Sequence, residues 1–197
     1  MNVSNTEMNG KEQQLLSAAR RMFWKYGYKK VSVQDICKEA QISKMTFYRF
    51  FENKLVIARA VFDAEVSAGV LRFKNLMKEK ISPEERINKL VMLKQQGVQD
   101  ISREFLQDFY TNPELGLKTY IEEKTRATWL EMLNDFKAAQ KKGYFRKDLK
   151  AEFFFILTQK VTELLNDPKL TALYADPKDL VVEMTRMFAY GISPAKK

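Results

Sequence analysis

Between Ser43 and Lys54 the sequence reads SKMTFYRFFENK, with four aromatic rings among three cations and two aliphatic hydroxyls. Cations and hydroxyls suit phosphates and base edges, whereas rings suit a core. One helix can serve both needs. Phe47, Phe50 and Phe51 fall at i, i+3 and i+4 and share a face. Lys44, Met45, Tyr48, Arg49 and Glu52 then lie on the other side. An α-helix fits the DNA major groove with its N-terminal residues at the base edges. Lys44 and Arg49 match guanine edges or phosphates, and Met45 matches a thymine methyl. Ser43, Thr46 and Tyr48 offer hydroxyls to phosphate oxygens. Free N–H groups at the helix start favour an anion. Lys54 opens the next helix, where the macrodipole disfavours a cation by roughly 0.3–1 kcal/mol. A nearby phosphate would reverse that balance; a solvated pair with Glu52 is the plainer alternative. Ser32 and Gln34, at the start of the preceding helix, are placed to clamp the DNA backbone in the same way.

Composition excludes much other chemistry. The 197 residues include no histidine and a single cysteine, Cys37. The commonest general base and metal ligand are absent, and no intrachain disulfide can form. With no nucleophile constellation or metal cluster, no catalytic residue, metal site or cofactor is expected, and the protein is read as a non-enzyme. No apolar run approaches the roughly 18 residues of a membrane span, and the polar first 14 residues lack a signal-peptide core, so a cytoplasmic location is expected. The net charge of +9 is uneven: residues 1–54 hold ten Lys and Arg against five Asp and Glu. A basic domain of this kind meets a polyanion, or is simply a soluble basic surface.

The elements that must position the basic helix also read as helices. Leu15, Ala19, Met22, Phe23 and Tyr26 form one stripe of a first helix, roughly Lys11–Tyr26, closed by Gly27 as a left-handed cap. Ser32 and Asp35 make a capping box for a short second helix whose apolar face holds Val33, Ile36, Cys37 and Ala40. Gln41 and Ile42 turn the chain, and Ser43 caps the third helix, giving a helix-turn-helix. Asn53 caps a longer fourth helix reaching about Lys80. Further on, Ser82-Pro83-Glu84-Glu85 starts a helix carrying Ile87, Leu90, Val91 and Lys94, with Gly97 as its break. A segment through Ile101, Phe105, Leu106 and Phe109 runs to Asn112-Pro113. A long helix then ends at Gly143. Asp148 is expected to cap a helix over Leu149–Asn166 with the run FFFIL, and Asp176-Pro177 to start the last helix, with Leu180, Val181, Met184, Met187 and Phe188 apolar.

Residues Glu12–Ala60 resemble the DNA-binding domain of the TetR (tetracycline repressor) family. Phe23 and Gly27 match the end of the family's first helix, and Ile36 and Ala40 its "I..A" segment. Ser43, Thr46, Tyr48, Phe51 and Lys54 match its "S..T.Y..F..K" core in order and spacing. Gln41 and Met45 stand where many members have glycine. A left-handed Gln41 would cost roughly 1–2 kcal/mol, and Met45 must reach into the groove or fold away from it. The resemblance implies an all-α fold of about nine helices. Residues 8–68 would form the helix-turn-helix domain, and 69–197 an effector-binding and dimerisation domain. It implies a homodimer on a palindromic double-stranded DNA operator, with no membrane partner, most simply a repressor released by an unidentified small molecule. Phe105, Phe109, Tyr120, Trp129 and Phe136 would line the effector cavity or fill the core. Two rivals stand beside it: a helical adaptor or anionic-membrane binder, and an effector-independent architectural DNA-binding protein on the same fold.

Overall fold

A computed structural model describes residues 3–111, 116–160, 164 and 167–194; among them are ten α-helices and no strand. The helices are α1 Val3–Lys30, α2 Val33–Ala40, α3 Lys44–Phe50, α4 Lys54–Leu76, α5 Pro83–Val98, α6 Arg103–Leu106, α7 Lys118–Lys141, α8 Ala151–Gln159, α9 Pro168–Thr171 and α10 Pro177–Gly191. A π-helical turn, Gln107–Thr111, continues α6. The expected Asn112-Pro113 and Asn166 boundaries lie outside the described residues.

The chain divides into two compact units. One comprises Met1–Glu65 with Asp100–Tyr120, the other Val66–Gln99 with Ile121–Lys197.

The first unit is organised by aromatic packing. Leu15, Ala18, Ala19, Phe23 and Trp24 of α1 are buried with Ile36, Phe47, Ile57 and Val61. Phe105 and Phe109 stack on each other at 4.2 Å between ring centres, and Phe105 lies 4.2 Å from Trp24. They are core, one of the two roles their spacing allowed. Tyr26, expected on the buried stripe, is exposed, and Lys25 lies over its ring. The reason is Gly27, which is no left-handed cap: at φ 80°, ψ 171° it breaks the helical path, and Tyr28 turns inward against Phe23 instead. Arg59 of α4 reaches Gly116 O at 3.2 Å and lies over the Tyr120 ring. The Tyr120 hydroxyl donates to Asp63 at 2.7 Å, and burial together with that carboxylate pushes the phenol up to about 12.

The second unit has its own core of Ile87, Val91, Phe136, Phe145, Phe155, Ala189 and Ile192 with smaller neighbours. Arg86 is fully buried beside it, with no carboxylate partner among the described residues. Its guanidinium donates to the carbonyls of Leu76, Glu79 and Ile81 and sits 3.9 Å over the Tyr144 ring. Orphan carbonyls at a helix end need donors, and Arg86 supplies them, so α4 stops at Leu76 rather than near Lys80.

Ser82 and Asp176 cap α5 and α10 as their sequences predict. Gly143, at φ 76°, follows the end of α7. Gly97 does not break α5, which continues to Val98. Asp148 does not cap α8. Its carboxylate takes Arg146 Nε at 2.8 Å, which holds its acid form down to about 2, and Lys150 occupies the cap position with no side-chain bond.

Candidate nucleic-acid interface

The helix-turn-helix is held by local bonds. The Ser32 Oγ accepts from Asp35 N at 3.1 Å, and Asp35 Oδ2 accepts from Ser32 N at 2.9 Å, which completes the capping box. Gln41 closes α2 in the left-handed region, at φ 55°, ψ 38°. Its N–H reaches Lys38 O, and Ile42 N reaches Cys37 O at 2.9 Å, the bond pattern of a Schellman cap. Glycine is favoured there because it has no Cβ to crowd the carbonyl. Replacing Gln41 by glycine is therefore expected to stabilise the protein by about 1 kcal/mol. That is a rise of roughly 2–4 °C in melting temperature for a chain of this size, read by thermal denaturation.

Ser43 caps α3 by accepting from Thr46 N at 3.1 Å. Phe47 is fully buried, and Phe51, which follows the helix, is buried beside it; Phe50 is half-buried. The division of faces is as the spacing predicts. Met45 is 83% exposed and Tyr48 56%, and Lys44 and Arg49 are exposed with them. The Tyr48 ring meets Phe47 edge-on at 5.3 Å, so its hydroxyl is carried on a braced base. Lys44 Nζ donates to Gln34 Oε1 at 3.2 Å, which puts two expected contact residues side by side across the turn. Ser43 Oγ and Thr46 Oγ1 lie 2.9 Å apart and share one hydrogen bond, so one hydroxyl proton of the pair is left for an outside acceptor.

The electrostatics favour an anion along this ridge. Asp35 is tied to Ser32, whose hydrogen bonds hold its carboxyl below the usual range, and Glu39 pairs with Arg21 at 2.9 Å. The Ser32 hydroxyl proton is committed to Asp35 Oδ2 at 2.6 Å. A phosphate contact from Ser32 would have to displace that bond. Cys37 is buried, and burial raises its thiol, as befits a packing residue.

Lys54 differs most from expectation. It pairs neither with Glu52 nor with open solvent. Its Nζ donates to Tyr28 O and Val31 O, both at 2.9 Å, and lies 4.1 Å from the Tyr28 ring centre. Desolvation pulls its ammonium below the usual lysine range, an effect the Asp108 charge offsets in part. Two carbonyls and a ring replace the counter-anion that the helix start was expected to need. Asp108, absent from the residues singled out in sequence, completes the arrangement: it is buried and accepts from Lys29 N at 2.8 Å. The signal for it was an acid set between Leu106 and Phe109 in an apolar run.

Among the described residues no acid or cysteine cluster can hold a metal, and no helix is long and apolar enough to cross a membrane.

The family model of bacterial regulatory proteins, tetR family, matches residues 15–61. The uncharacterized HTH-type transcriptional regulator YdgC of Bacillus subtilis is 25% identical over 185 residues, 92% of each chain. The HTH-type transcriptional repressor KstR2 of Mycobacterium tuberculosis is 23% identical over 165 residues, 79% of this chain and 80% of its own. In structure, the transcriptional regulator FadR from Bacillus subtilis, solved in complex with stearoyl-CoA, superposes with a TM-score of 0.63 at 18% identity, covering 91% of this chain and 98% of its own. These relatives are regulators, not enzymes. Residues 15–61, a helix-turn-helix with a braced, basic, outward-facing third helix, thus carry the DNA-binding module of the tetR family of bacterial regulatory proteins, and the chain as a whole is similar to transcriptional regulators of that fold.

Proposed function

We propose that the protein is a homodimeric repressor that reads a palindromic operator through α3 and leaves it when a small-molecule effector binds. The observation that carries the DNA-reading part is the exposed ridge of Lys44, Met45, Tyr48 and Arg49 on a helix anchored by Phe47. Lys44, Met45 and Arg49 read base edges. Ser43, Thr46 and Tyr48 contact phosphates, and Gln34 and Ser32 flank them from α2. Large apolar side chains left exposed on α8 (Phe153, Ile156) and α10 (Met187) support pairing with a second copy. Two-fold pairing gives two recognition helices for two half-sites. The repressor KstR2 and the acyl-CoA complex of FadR support the effector step. An effector that prefers subunits with wrongly spaced recognition helices would empty the operator with a few kcal/mol of differential affinity.

The test is selection of bound duplexes from a random pool, followed by salt titration of the winner. A two-fold symmetric site is expected, with affinity falling steeply as salt rises. Arg49→Ala, Lys44→Ala or Met45→Ala should relax base preference, by about 1–3 kcal/mol of discrimination for a bidentate contact. Tyr48→Phe and Thr46→Val should weaken all sequences alike. A flat salt response, or one unaltered base preference across all five variants, would sink this reading.

A further inference from the structure

Met45 is the one residue of the α3 ridge with no charge and no hydrogen-bonding hydroxyl. It is 83% exposed, more than any other large apolar side chain among the described residues. The buried anchor of α3 is Phe47, on the opposite face, so the thioether takes no part in the core. Its sulfur is a soft nucleophile that can accept an oxygen atom. The other sulfurs are less open. Met132 and Met184 are buried, and Met22 and Met77 are half-buried. Met92 of α5 is 46% exposed. Met187, at 70%, lies on the face of α10 proposed above for pairing with a second copy. Cys37, the single cysteine, is buried, and burial raises its thiol. Sensors of peroxide use an exposed, ionised thiolate, and Cys37 is neither. A thioether needs no ionisation, which suits it to an electrophilic halogen oxidant instead.

We infer that Met45 is a reversible oxidation site through which a hypohalous acid lowers the sequence preference of the protein on DNA. This rests on the base-reading role of α3 proposed above and adds a regulation to it. The sulfur lone pair attacks the chlorine of hypochlorous acid, and hydroxide leaves. Water then forms the S–O bond as chloride departs from sulfur. Overall, thioether and HOCl become sulfoxide, a proton and chloride: sulfur loses two electrons and chlorine gains them.

The product carries a dipolar S=O group where the ridge had an apolar tip. Water satisfies the new oxygen in the free protein. Against a thymine methyl it is stripped of water and meets no donor, which is costly. Contacts of Tyr48 and Thr46 with phosphates are untouched, so base preference falls while general affinity for DNA stays. The fold stays too, because Met45 packs against none of the core. Bound DNA covers the sulfur, so the oxidant acts on protein that is free of its operator. Methionine sulfoxide reductases return the thioether and close the cycle.

The full chain is treated with limiting hypochlorous acid in an amine-free buffer, and oxidation is read peptide by peptide by mass spectrometry. Met45 should be oxidised ahead of Met92, and prebound operator should protect Met45 but not Met92. Gel shifts then compare the selected operator with an unrelated duplex of equal length. Oxidised protein should bind the operator about 10–100-fold more weakly, with affinity for the unrelated duplex, salt slope and melting temperature unchanged. Sulfoxide reductases should restore operator binding, an arm that needs no variant. Met92→Leu should respond to the oxidant as the parent does. Met45→Leu is compared with itself, before and after treatment, and its affinity should not move. Oxidation of Met92 before Met45, operator affinity that survives oxidation of Met45, equal loss on both duplexes, no recovery with the reductases, or a full response in Met45→Leu would overturn the assignment. The base-reading role of α3 fails in a different way. Untreated parent would then show no preference between the two duplexes, and the regulation would fall with that role. A preference present before treatment and intact after it sinks the oxidation site alone.

Discussion

Gly27→Ala is expected to cost roughly 2–6 kcal/mol, enough to leave a marginally stable protein largely unfolded at physiological temperature. Two causes add. The backbone at φ 80°, ψ 171° lies in a region open essentially to glycine alone, and a side chain there costs about 1–3 kcal/mol. The space is also taken. A Cβ at this position would stand 2.8 Å from Asp108 Oδ2, 2.9 Å from Glu104 Cβ and 3.1 Å from the Glu104 carbonyl carbon. The last of these is backbone and cannot swing aside, so overpacking adds a similar amount. The damage is directed as well as large. Pushing Asp108 away breaks its bond to Lys29 N, and the neighbouring Tyr28 carbonyl is one of the two that hold Lys54. Chemical denaturation should show the loss as a lower midpoint with an unchanged slope. Gly143→Ala is the control. Gly143 has a similar φ of 76°, but a Cβ added there would meet no atom within 4 Å, so only the backbone strain of about 1–3 kcal/mol applies. Equal losses at the two glycines would remove close packing from the explanation.

Local features were legible before any coordinates. Ser32, Ser43, Asn53, Ser82 and Asp176 each accept the backbone N–H that their capping positions predict. Caps and helix faces depend on residues within one or two turns, so sequence alone contains them. The failures share the opposite property. Tyr26 is exposed because Gly27 redirects the chain toward residues 104–109, some eighty positions away. Asp148 leaves its expected cap for Arg146, two residues back, a choice that no periodicity encodes. Phe105 and Phe109 were equally good as cavity wall and as core, and only their stacking against Trp24 and Phe23 decides for core. In the recognition helix, the phenylalanine face and the exposed ridge follow directly from spacing. Whether each polar group on the ridge is free does not: the Ser32 proton belongs to Asp35, and Lys44 already touches Gln34.

Lys54 makes the same point with a measurable consequence. A lysine that neutralises a DNA phosphate contributes close to one unit to the slope of log affinity against log salt. Lys54 is engaged inward, so Lys54→Met should leave that slope unchanged. The variant should instead lose stability, by about 2–4 kcal/mol. Two charge-assisted bonds to carbonyls and a cation–ring contact disappear, and the relief of the lysine's desolvation offsets part of that loss. Val31 immediately precedes the cap of α2, and Lys54 begins α4 four residues after Phe50 ends α3. The ammonium therefore ties the entrance of the helix-turn-helix to its exit. Without it the recognition helix is held less firmly, and affinity should fall for all duplexes alike, in step with the loss of stability. Lys54→Arg distinguishes the two roles. A guanidinium would keep a phosphate contact, but its planar fork does not fit two carbonyls beneath a tyrosine ring as a compact ammonium does. Parallel losses of stability and affinity in Met and Arg variants, at constant salt slope, are the expected result. A slope that drops by about one in Lys54→Met and returns in Lys54→Arg would show that the residue turns outward to the phosphate after all.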